Sequence, residues 1–312
     1  MDIMVSVVCN AYNHEKYIAD TLDGFLMQKT NFEFEVLVHD DASTDKTAEI
    51  IQEYANKFPN LIKPILQKEN QYSQNKLPGL VFQYPRAKGK YIALCEGDDY
   101  WTDPYKLQKQ VDALEAHSQI DICAHAASVV CNGKVVAAIA PHKTNTIFPI
   151  ETIITGCGGF VATNSLMFRK NLVDSPYDFM KDYDLDYFIQ ISGSLRGGML
   201  YLCDNMSCYR QMTSSSWSQA MATNPTAHIK LWNSIAERLA ILDKETNCQY
   251  SKTIERQIAY FKLNVPTRLG HWWKLFYNPY LRLLLKQPIK EQFVFFLSAV
   301  RRSFLNLLMR FK

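Results

Sequence analysis

The segment 96–99 carries three carboxylates within four positions and is the part of this sequence best suited to chemistry. It follows five uncharged residues, 91–95, which predict a strand buried on both faces. Clustered carboxylates repel one another unless a cation or hydrogen-bond donors gather them. Mg²⁺ or Mn²⁺ is usually held by one or two carboxylates together with substrate phosphates. The alternative is a loop whose acids face water, beside a helix that Asp103 caps and Pro104 begins.

Two more polar segments follow predicted strands. Asn10–Asn13 comes after the apolar run Val5–Cys9, and Asp40-Asp41 comes after Glu35–His39. Helical spacing of apolar residues separates these strands, so strand and helix alternate along the chain. Such alternation predicts a mostly parallel sheet with helices on both faces. Because ligands of these sheets bind beyond the carboxyl ends of the strands, we expect the three polar segments to meet in one crevice.

Several single residues allow two interpretations. One of Asp40 and Asp41 should accept hydrogen bonds from a bound base or ribose, and the other should satisfy backbone donors of the following turn. Tyr12 either stacks on a base or packs against the next helix. Asp182 is placed where it could cap a helix or take a proton from an attacking hydroxyl as a general base.

The composition is that of a folded globular protein and does not indicate a nucleic-acid partner. The 312 residues are 47% hydrophobic and 21% charged, with a net charge of only +3. Positive charge is concentrated at the end of the chain, where residues 282–312 hold seven basic residues against one acid. Aromatic clusters lie nearby, at 271–277 and 292–297. This basic and aromatic stretch predicts either contact with a membrane surface or a core or dimer surface.

Three motifs resemble the signatures of family 2 glycosyltransferases. They are Val5-Ser-Val-Val-Cys-Asn-Ala-Tyr-Asn13, Val38-His-Asp-Asp-Ala-Ser-Thr-Asp45 and Tyr91-Ile-Ala-Leu-Cys-Glu-Gly-Asp-Asp-Tyr-Trp101. The continuation at 102–110 resembles the bacterial branch that builds capsule, O-antigen and other surface polysaccharides. The agreement covers residues 3–217, about two-thirds of the chain. It implies the A-type (GT-A) nucleotide-diphosphosugar transferase fold, an α/β fold with a Rossmann-like, mostly parallel central sheet flanked by helices.

The resemblance also implies roles for single residues. Asp41 would bond the nucleotide base, Asp98 would contact the ribose or the metal, and Asp99 would ligate Mn²⁺ or Mg²⁺ on the diphosphate. Glu96 stands at the first position of the family's Asp-x-Asp motif. Together the implied donor-binding residues are Asn10, Ala11, Tyr12, Asn13, Asp41, Glu96, Asp98 and Arg210.

The acceptor side departs from the family pattern at two places. Asp182 falls where the family places its catalytic base, but Lys181 replaces the usual Glu or Gly before it. The family often shows Tyr-Arg-x-His after the last core strand, and this chain has Tyr209-Arg210-Gln211-Met212. A histidine contact to metal or phosphate is therefore lost or replaced, while Arg210 remains able to meet the diphosphate.

The resemblance implies an inverting, metal-dependent hexosyltransferase-type enzyme of surface polysaccharide biosynthesis. It would move a sugar from a nucleotide-diphosphate donor, with UDP-sugar favoured, to a hydroxyl of a glycan or lipid-linked acceptor. One alternative is a sugar-phosphate nucleotidyltransferase, which usually begins with a Gly-rich phosphate loop, whereas residues 5–16 contain no Gly. Another is a non-catalytic, membrane-associated scaffold of a polysaccharide assembly complex.

The expected organisation is a catalytic domain at 1–222 followed by a helical region at 223–312. The catalytic domain would comprise a nucleotide-sugar half, 1–117, and an acceptor half, 118–222. No apolar run of about 18 residues occurs, and no signal peptide precedes the first predicted strand. We therefore expect a cytoplasmic protein, peripheral at the inner face of the cell membrane if the C-terminal region binds lipid.

Overall fold

The computed structural model describes residues 2–181, 185–211, 224–269 and 271–310, with the backbone alone described for 305–310. Asp182 and Met212, both singled out above, lie outside the described residues. The chain divides into two compact units, Met1–Ser216 and Trp217–Lys312. The boundary predicted after residue 222 falls in a stretch that is not described, so it stays a prediction.

The first unit is built on one mixed sheet, which has ten strands among the described residues. In chain order these are β1 (Ile3–Ala11), β2 (Glu33–Asp40), β3 (Ile62–Leu66), β4 (Tyr91–Leu94), β5 (Tyr100–Trp101), β6 (Ile122–Cys131), β7 (Lys134–Ile139), β8 (Thr146–Phe148), β9 (Met167–Arg169) and β10 (Met199–Arg210). The order across the sheet is β3-β2-β1-β4-β9-β6-β10-β5, with β7 paired to β6 and β8 paired to β10.

Strands β3, β2, β1 and β4 are parallel neighbours, as the alternation of strand and helix predicted. The apolar runs of β1 and β4 are buried because helices cover both faces of the sheet. Strand β3 lies at the edge, the position that Pro64 requires since proline donates no ladder hydrogen bond. Strand β9 then runs antiparallel between β4 and β6, so the second half of the sheet is mixed.

The described part of the first unit contains six α-helices. They are α1 (Ile18–Leu26), α2 (Thr47–Lys57), α3 (Lys106–Ala116), α4 (Ile150–Thr155), α5 (Asn171–Asp174) and α6 (Asp186–Ser194). In α1, Ile18, Leu22 and Phe25 form one fully buried face. A hairpin joins β6 to β7, with Asn132 at φ 50° and Gly133 at φ 74°.

The second unit is helical, as predicted. It contains α7 (Pro225–Glu245), α8 (Ser251–Leu269), α9 (Tyr280–Leu285) and α10 (Ile289–Arg310). The side chain of Asn224 caps α7 by accepting from the N–H of Ala227 at 3.0 Å, and Pro225 takes the first helical position. Helices α8, α9 and α10 share a small apolar core that includes Leu263, Leu284 and Phe295. Among the described residues, no helix combines the length and apolarity needed to cross a bilayer.

Candidate active site

The carboxyl ends of β1, β2 and β4 meet at one edge of the sheet. The N–H of Gly97, just beyond β4, donates to the carbonyl of Asn10 at 2.9 Å. The N–H of Asp41, just beyond β2, donates to the carbonyl of Ala11 at 2.9 Å. The three polar segments that the sequence placed at strand ends therefore form one crevice.

The carboxylate segment 96–99 is not a solvated loop, because Asp98 and Asp99 are buried, at 8% and 2% exposure. Arg210, at the end of β10, donates from its backbone N–H to Asp99 Oδ1 at 2.7 Å and from Nη1 to the carbonyl of Asp98 at 2.9 Å. Thr21 of α1 places its hydroxyl 3.1 Å from the carbonyl of Gly97 and 2.5 Å from that of Asp99. A helix and a distant strand thus hold the segment in place.

The predicted helix start at Asp103 and Pro104 is wrong by two positions. Helix α3 begins at Lys106, and its N-cap position is Tyr105. Asp103 Oδ1 accepts from the N–H of Tyr105 at 2.8 Å, so this carboxylate closes the turn that precedes the helix. The contact matches the tendency of Asp to bond backbone two residues on.

Burial makes negative charge unfavourable in the segment 96–99. Burial, followed by the charge of Asp98, raises the pKa of Asp99 well above its ordinary value, and the bond from Arg210 opposes this. No group of three or more His, Cys, Asp and Glu side chains among the described residues is arranged to hold a metal ion. The donor set fits a hard cation that takes one or two carboxylates and completes its ligands with substrate phosphates.

Arg210 is fixed by contacts that sequence reasoning did not find. Its guanidinium lies 5.0 Å from the ring centroid of Tyr17 and 4.3 Å from that of Tyr100, and it pairs with Asp20. A planar cation between two aromatic faces loses little freedom when it meets a ligand. No sequence signal marks these partners, since they come from α1, β5 and the turn before α1.

Asp40, the last residue of β2, and Asp41, the first residue after it, have different partners. Asp40 accepts from the N–H of Ser43 at 3.1 Å and from its hydroxyl at 2.5 Å, which closes the turn. Asp41 accepts from the N–H groups of Gln71 at 2.7 Å and Tyr72 at 3.1 Å, so it anchors a distant loop. Each carboxylate oxygen has a second lone pair, which leaves Asp41 able to accept from a base as well.

The residues at the end of β1 and in the loop after it differ in exposure and in hydrogen bonding. Ala11 is buried, whereas the Tyr12 ring is 39% exposed. Asn13 adopts a left-handed φ of 57° and accepts from the N–H of Thr44 at 2.8 Å, which links this loop to the one after β2. A ring with this exposure at a strand end is available for stacking on a base, which is one of the two interpretations of Tyr12.

His14 directly follows Asn13 in the chain and was not among the predicted site residues. It is 7% exposed, and among the described residues its Nδ1 has no hydrogen-bond partner. Burial lowers its pKa, while Asp98, Asp45 and Asp40 act in the opposite direction. The signal available in the sequence was a further polar residue in a loop that directly follows a buried strand.

The predicted base, Asp182, lies outside the described residues, although its surroundings remove one interpretation. Helix α6 begins at Asp186, and its N-cap position is Leu185. Capping of this helix therefore does not explain an acid at 182. Lys181, which directly precedes Asp182 in the chain, pairs with Asp178.

These features define an α/β protein with an acidic crevice at the carboxyl ends of its strands, lined by buried carboxylates and one clamped arginine. The family model called Glycosyl transferase family 2 matches residues 6–173, which is more than half of the chain. The chain belongs to this family.

Relatives in sequence and structure agree with that assignment. Uncharacterized proteins of Mycobacterium tuberculosis and Mycobacterium bovis are 34% identical over 239 residues, which cover 76% of this chain and 66% of theirs. The chain thus matches just under two-thirds of the length of these relatives. Residues 1–349 of Staphylococcus aureus TarS, solved with UDP-GlcNAc, superpose with a TM-score of 0.61 at 21% identity, covering 96% of this chain and 80% of that one.

A second solved structure extends the comparison. The mannosyltransferase PcManGT of Pyrobaculum calidifontis, solved with GDP-Man and Mn²⁺, has a TM-score of 0.54 at 13% identity and covers 98% of this chain and 88% of that one. The fold is that of the A-type (GT-A) glycosyltransferases, as the sequence motifs predicted.

Proposed function

We propose that this chain is an inverting glycosyltransferase that moves a sugar from a nucleotide-diphosphate donor to a hydroxyl of a glycan or lipid-linked acceptor. The observation that carries this proposal is the crevice in which Asp98, Asp99 and Arg210 are held together at the strand ends. Buried carboxylates with a neighbouring guanidinium suit a diphosphate that arrives with a divalent cation. UDP-GlcNAc in TarS and GDP-Man in PcManGT support a nucleotide-sugar donor.

On this proposal the donor lies along the three strand ends. Asn10, Ala11, Tyr12 and Asn13 face the base and ribose, and Asp41 bonds the base. Arg210 faces the diphosphate, and Glu96 and Asp98 border the ribose. We place UDP first among the candidate nucleotides, and surface polysaccharide synthesis, such as that of capsule or O-antigen, first among the pathways.

Asp99 and Asp98 would hold Mn²⁺ or Mg²⁺, whose bound charge would neutralise the negative charge that develops on the β-phosphate. Arg210 adds a second positive charge there, already oriented by the rings of Tyr17 and Tyr100. Asp182 takes the proton of the acceptor hydroxyl while that oxygen attacks the anomeric carbon. The bond from that carbon to the β-phosphate oxygen breaks, and the nucleoside diphosphate leaves. A single displacement from the opposite face inverts the anomeric centre.

The test is to incubate the purified protein with a panel of UDP- and GDP-sugars and Mn²⁺, and to measure release of nucleoside diphosphate. We expect turnover or slow donor hydrolysis with one member of the panel. Asp182→Asn should abolish turnover and keep nucleotide binding, whereas Asp174→Asn, an exposed acid paired with Lys170, should change neither. Failure to bind any nucleotide sugar, with or without Mn²⁺, would refute the proposal.

We further propose that the second unit contacts an anionic lipid surface, which would place the enzyme at the inner face of the cell membrane. Phe293, Leu297 and Phe304 are 64%, 62% and 65% exposed and share one face of α10. The opposite face, with Phe295, is buried in the core of the unit. Apolar side chains on both faces of a helix indicate that the outer face has a partner.

The charges beside this face favour lipid over a second copy of the chain. Lys290 and Arg301 are exposed and lie one turn from Phe293 and Leu297. The only acid at 282–312, Glu291, is paired with Arg256. A two-fold contact through this face would bring like charges together, whereas acidic phospholipids would neutralise them.

Flotation with vesicles of acidic and of neutral phospholipid tests the lipid contact on the full chain. We expect binding to acidic vesicles only, and loss of that binding when Phe293, Leu297 and Phe304 are all replaced by Ser. Replacement of Val135 and Val136, which are also exposed, by Ser is the matched control and should have no effect. Equal flotation of the triple variant would refute the lipid contact and leave the transferase proposal standing.

A further inference from the structure

A cavity of about 330 Å³ lies at the amino ends of β6 and β10. Asp121, which directly precedes β6, and Arg196, which lies between α6 and β10, both line it. The donor crevice is at the other end of the same two strands, where Arg210 of β10 pairs with Val130 of β6. Val130 is eight residues beyond Ile122, the first residue of β6. At about 3.3 Å per residue, about 25 Å of strand therefore separates the cavity from the crevice.

The floor of this cavity is buried and its rim is open to solvent. Leu172 of α5 and Ser192 of α6 line the floor, at 6% and 1% exposure. On the rim, Asn171 and Ser175 are exposed, and the side chain of Arg196 is 56% exposed. The volume is within the range of small-molecule sites, roughly 300–1,000 Å³. A small polar molecule can therefore enter the cavity from solvent.

The guanidinium of Arg196 is held in one orientation by Asp121. Its Nε donates to Asp121 Oδ2 at 2.9 Å, and its Nη2 donates to Oδ1 of the same carboxylate. Asp121 is itself buried, at 4% exposure, and also pairs with Arg169 at 3.4 Å. A bidentate pair of this kind uses two of the five N–H donors of Arg196. The remaining donors lie in a fixed plane and are able to bond a ligand.

Tyr177 supplies an aromatic face to the rim. Its ring stacks on the buried ring of Phe179, with the centroids 5.5 Å apart and the planes inclined by 16°. Tyr177 is nevertheless 41% exposed, so part of its ring surface is available to a ligand. Because Phe179 already holds the ring, a ligand would stack on it at a small cost in side-chain entropy.

The chemistry of the lining indicates the class of ligand. A phosphate would use the free N–H groups of Arg196, but not the Tyr177 face or the acceptor oxygens of Asn171 and Ser175. A cation would be repelled by Arg196. Hydroxyl groups both donate and accept hydrogen bonds, as the side chains of Asn171 and Ser175 do. A sugar ring combines such hydroxyl groups with an apolar C–H face that can stack on an aromatic ring.

We propose that this cavity binds one sugar unit of a glycan, whose apolar face stacks on Tyr177. The hydroxyl groups of that unit bond to Arg196, Asn171 and Ser175. The inference goes beyond the proposed function, because it requires neither a nucleotide nor a reaction. A site separated from the crevice by the length of β6 lets the protein hold a glycan chain by a unit other than the one that would react.

Saturation-transfer NMR on the full chain tests the site, with the methyl glycosides of glucose, galactose and N-acetylglucosamine as probes. Excess UDP and Mn²⁺ are added to fill the donor crevice. We expect a signal from at least one glycoside, with a dissociation constant in the millimolar range. Tyr177→Ser and Arg196→Met should each weaken that binding about fivefold or more, the effect of one lost contact.

Tyr105→Ser is the control variant for Tyr177→Ser. Tyr105 is 48% exposed, close to the exposure of Tyr177, but it precedes α3 and does not line the cavity. Its replacement should leave glycoside binding unchanged. Thermal unfolding shows whether each variant is folded. We expect all three to fold, because both tyrosines lie at the surface and Arg196→Met leaves Asp121 paired with Arg169.

The absence of a signal from every glycoside would overturn the inference, and so would unchanged binding in both cavity variants. Equal weakening in Tyr105→Ser would also contradict it. Displacement of the bound glycoside by inorganic phosphate of similar affinity would identify an anion site in place of a sugar site. These outcomes do not depend on turnover, so they are distinct from failure of the proposed function, in which no nucleotide sugar binds.

Discussion

The backbone N–H of Arg210 donates to Asp99 Oδ1 at 2.7 Å, although the two residues are 111 positions apart. This bond joins the end of β10 to the acidic segment beyond β4. The same arginine donates from its side chain to the carbonyl of Asp98. The position of the buried carboxylates therefore depends on a strand from the far half of the sheet.

Asp99→Asn should separate catalysis from stability. Asparagine keeps an oxygen for the N–H of Arg210 and removes a charge that burial disfavours, as the raised pKa of Asp99 indicates. We expect no loss of melting temperature and a fall in transferase rate of about a hundredfold or more, since metal and phosphate electrostatics contribute several kcal/mol. Initial rates and thermal unfolding measure the two effects. Asp112→Asn on the exposed face of α3 should alter neither, and a full rate in Asp99→Asn would contradict the assignment.

Arg210→Lys should weaken binding of nucleoside diphosphate about tenfold. Lysine keeps the charge but cannot lie flat between Tyr17 and Tyr100 or present a planar fork to phosphate oxygens. Calorimetric titration with UDP and with UMP gives the measurement, and UMP affinity should change less.

The matched control for this arginine is Arg169→Lys. Both side chains are mostly buried, at 13% exposure for Arg210 and 15% for Arg169. Arg169 donates to the carbonyls of Leu114 and Ile120, away from the crevice. The Arg169→Lys variant should have a lower melting temperature than the wild-type protein and the same affinity for nucleotide. Equal losses of affinity in both variants would contradict a specific role for Arg210.

Gly97→Ala should damage both the fold and the donor site. The added Cβ would stand 2.9 Å from the Cβ of Ala11 and from His14 Nδ1, inside the usual contact distance of 3.5–4.0 Å. Overpacking of this kind costs about 1–3 kcal/mol of unfolding free energy. Gly159→Ala is the comparison, because nothing lies within 4 Å of its added Cβ. Urea unfolding should show a loss in the first variant only.

Lys106 makes the stability of the protein depend on pH. It is fully buried, with its Nζ 3.9 Å from the ring centroid of Trp101 and 2.8 Å from Gln110 Oε1. Burial lowers the pKa of its ammonium group to about 7. In the unfolded chain the group titrates near pH 10.4. Between these values the unfolded state binds the extra proton, so the free energy of unfolding rises with pH.

Lys106→Met isolates this contribution, because all other titrating groups remain. The variant should gain most over wild type at or below about pH 7. Its advantage should then shrink by about 1.4 kcal/mol per pH unit up to about pH 10. Urea unfolding of both proteins at pH 6, 7.5 and 9 provides the comparison. Parallel stability profiles would show that Lys106 keeps its ordinary pKa in the folded protein.

The sequence by itself determined that the first strands are parallel and where the acidic edge of the sheet lies. Apolar runs without strict alternation marked β1, β2 and β4 as buried parallel strands. A strand end is a local property, so polar residues directly after these runs located the crevice. The family motifs then implied which of those residues meet a donor.

Only the tertiary structure decided which side chains complete the crevice. The clamp on Arg210 and the proximity of His14 to Gly97 bring together residues from separate helices and strands. The periodicity of apolar residues predicts which face of a helix is buried, but not which residues pack against that face. Thr21 is an example: it is buried in α1, and its contacts with the carbonyls of Gly97 and Asp99 are seen only in the tertiary structure. Such contacts arise when the sheet brings distant segments together, and that packing is a property of the whole fold.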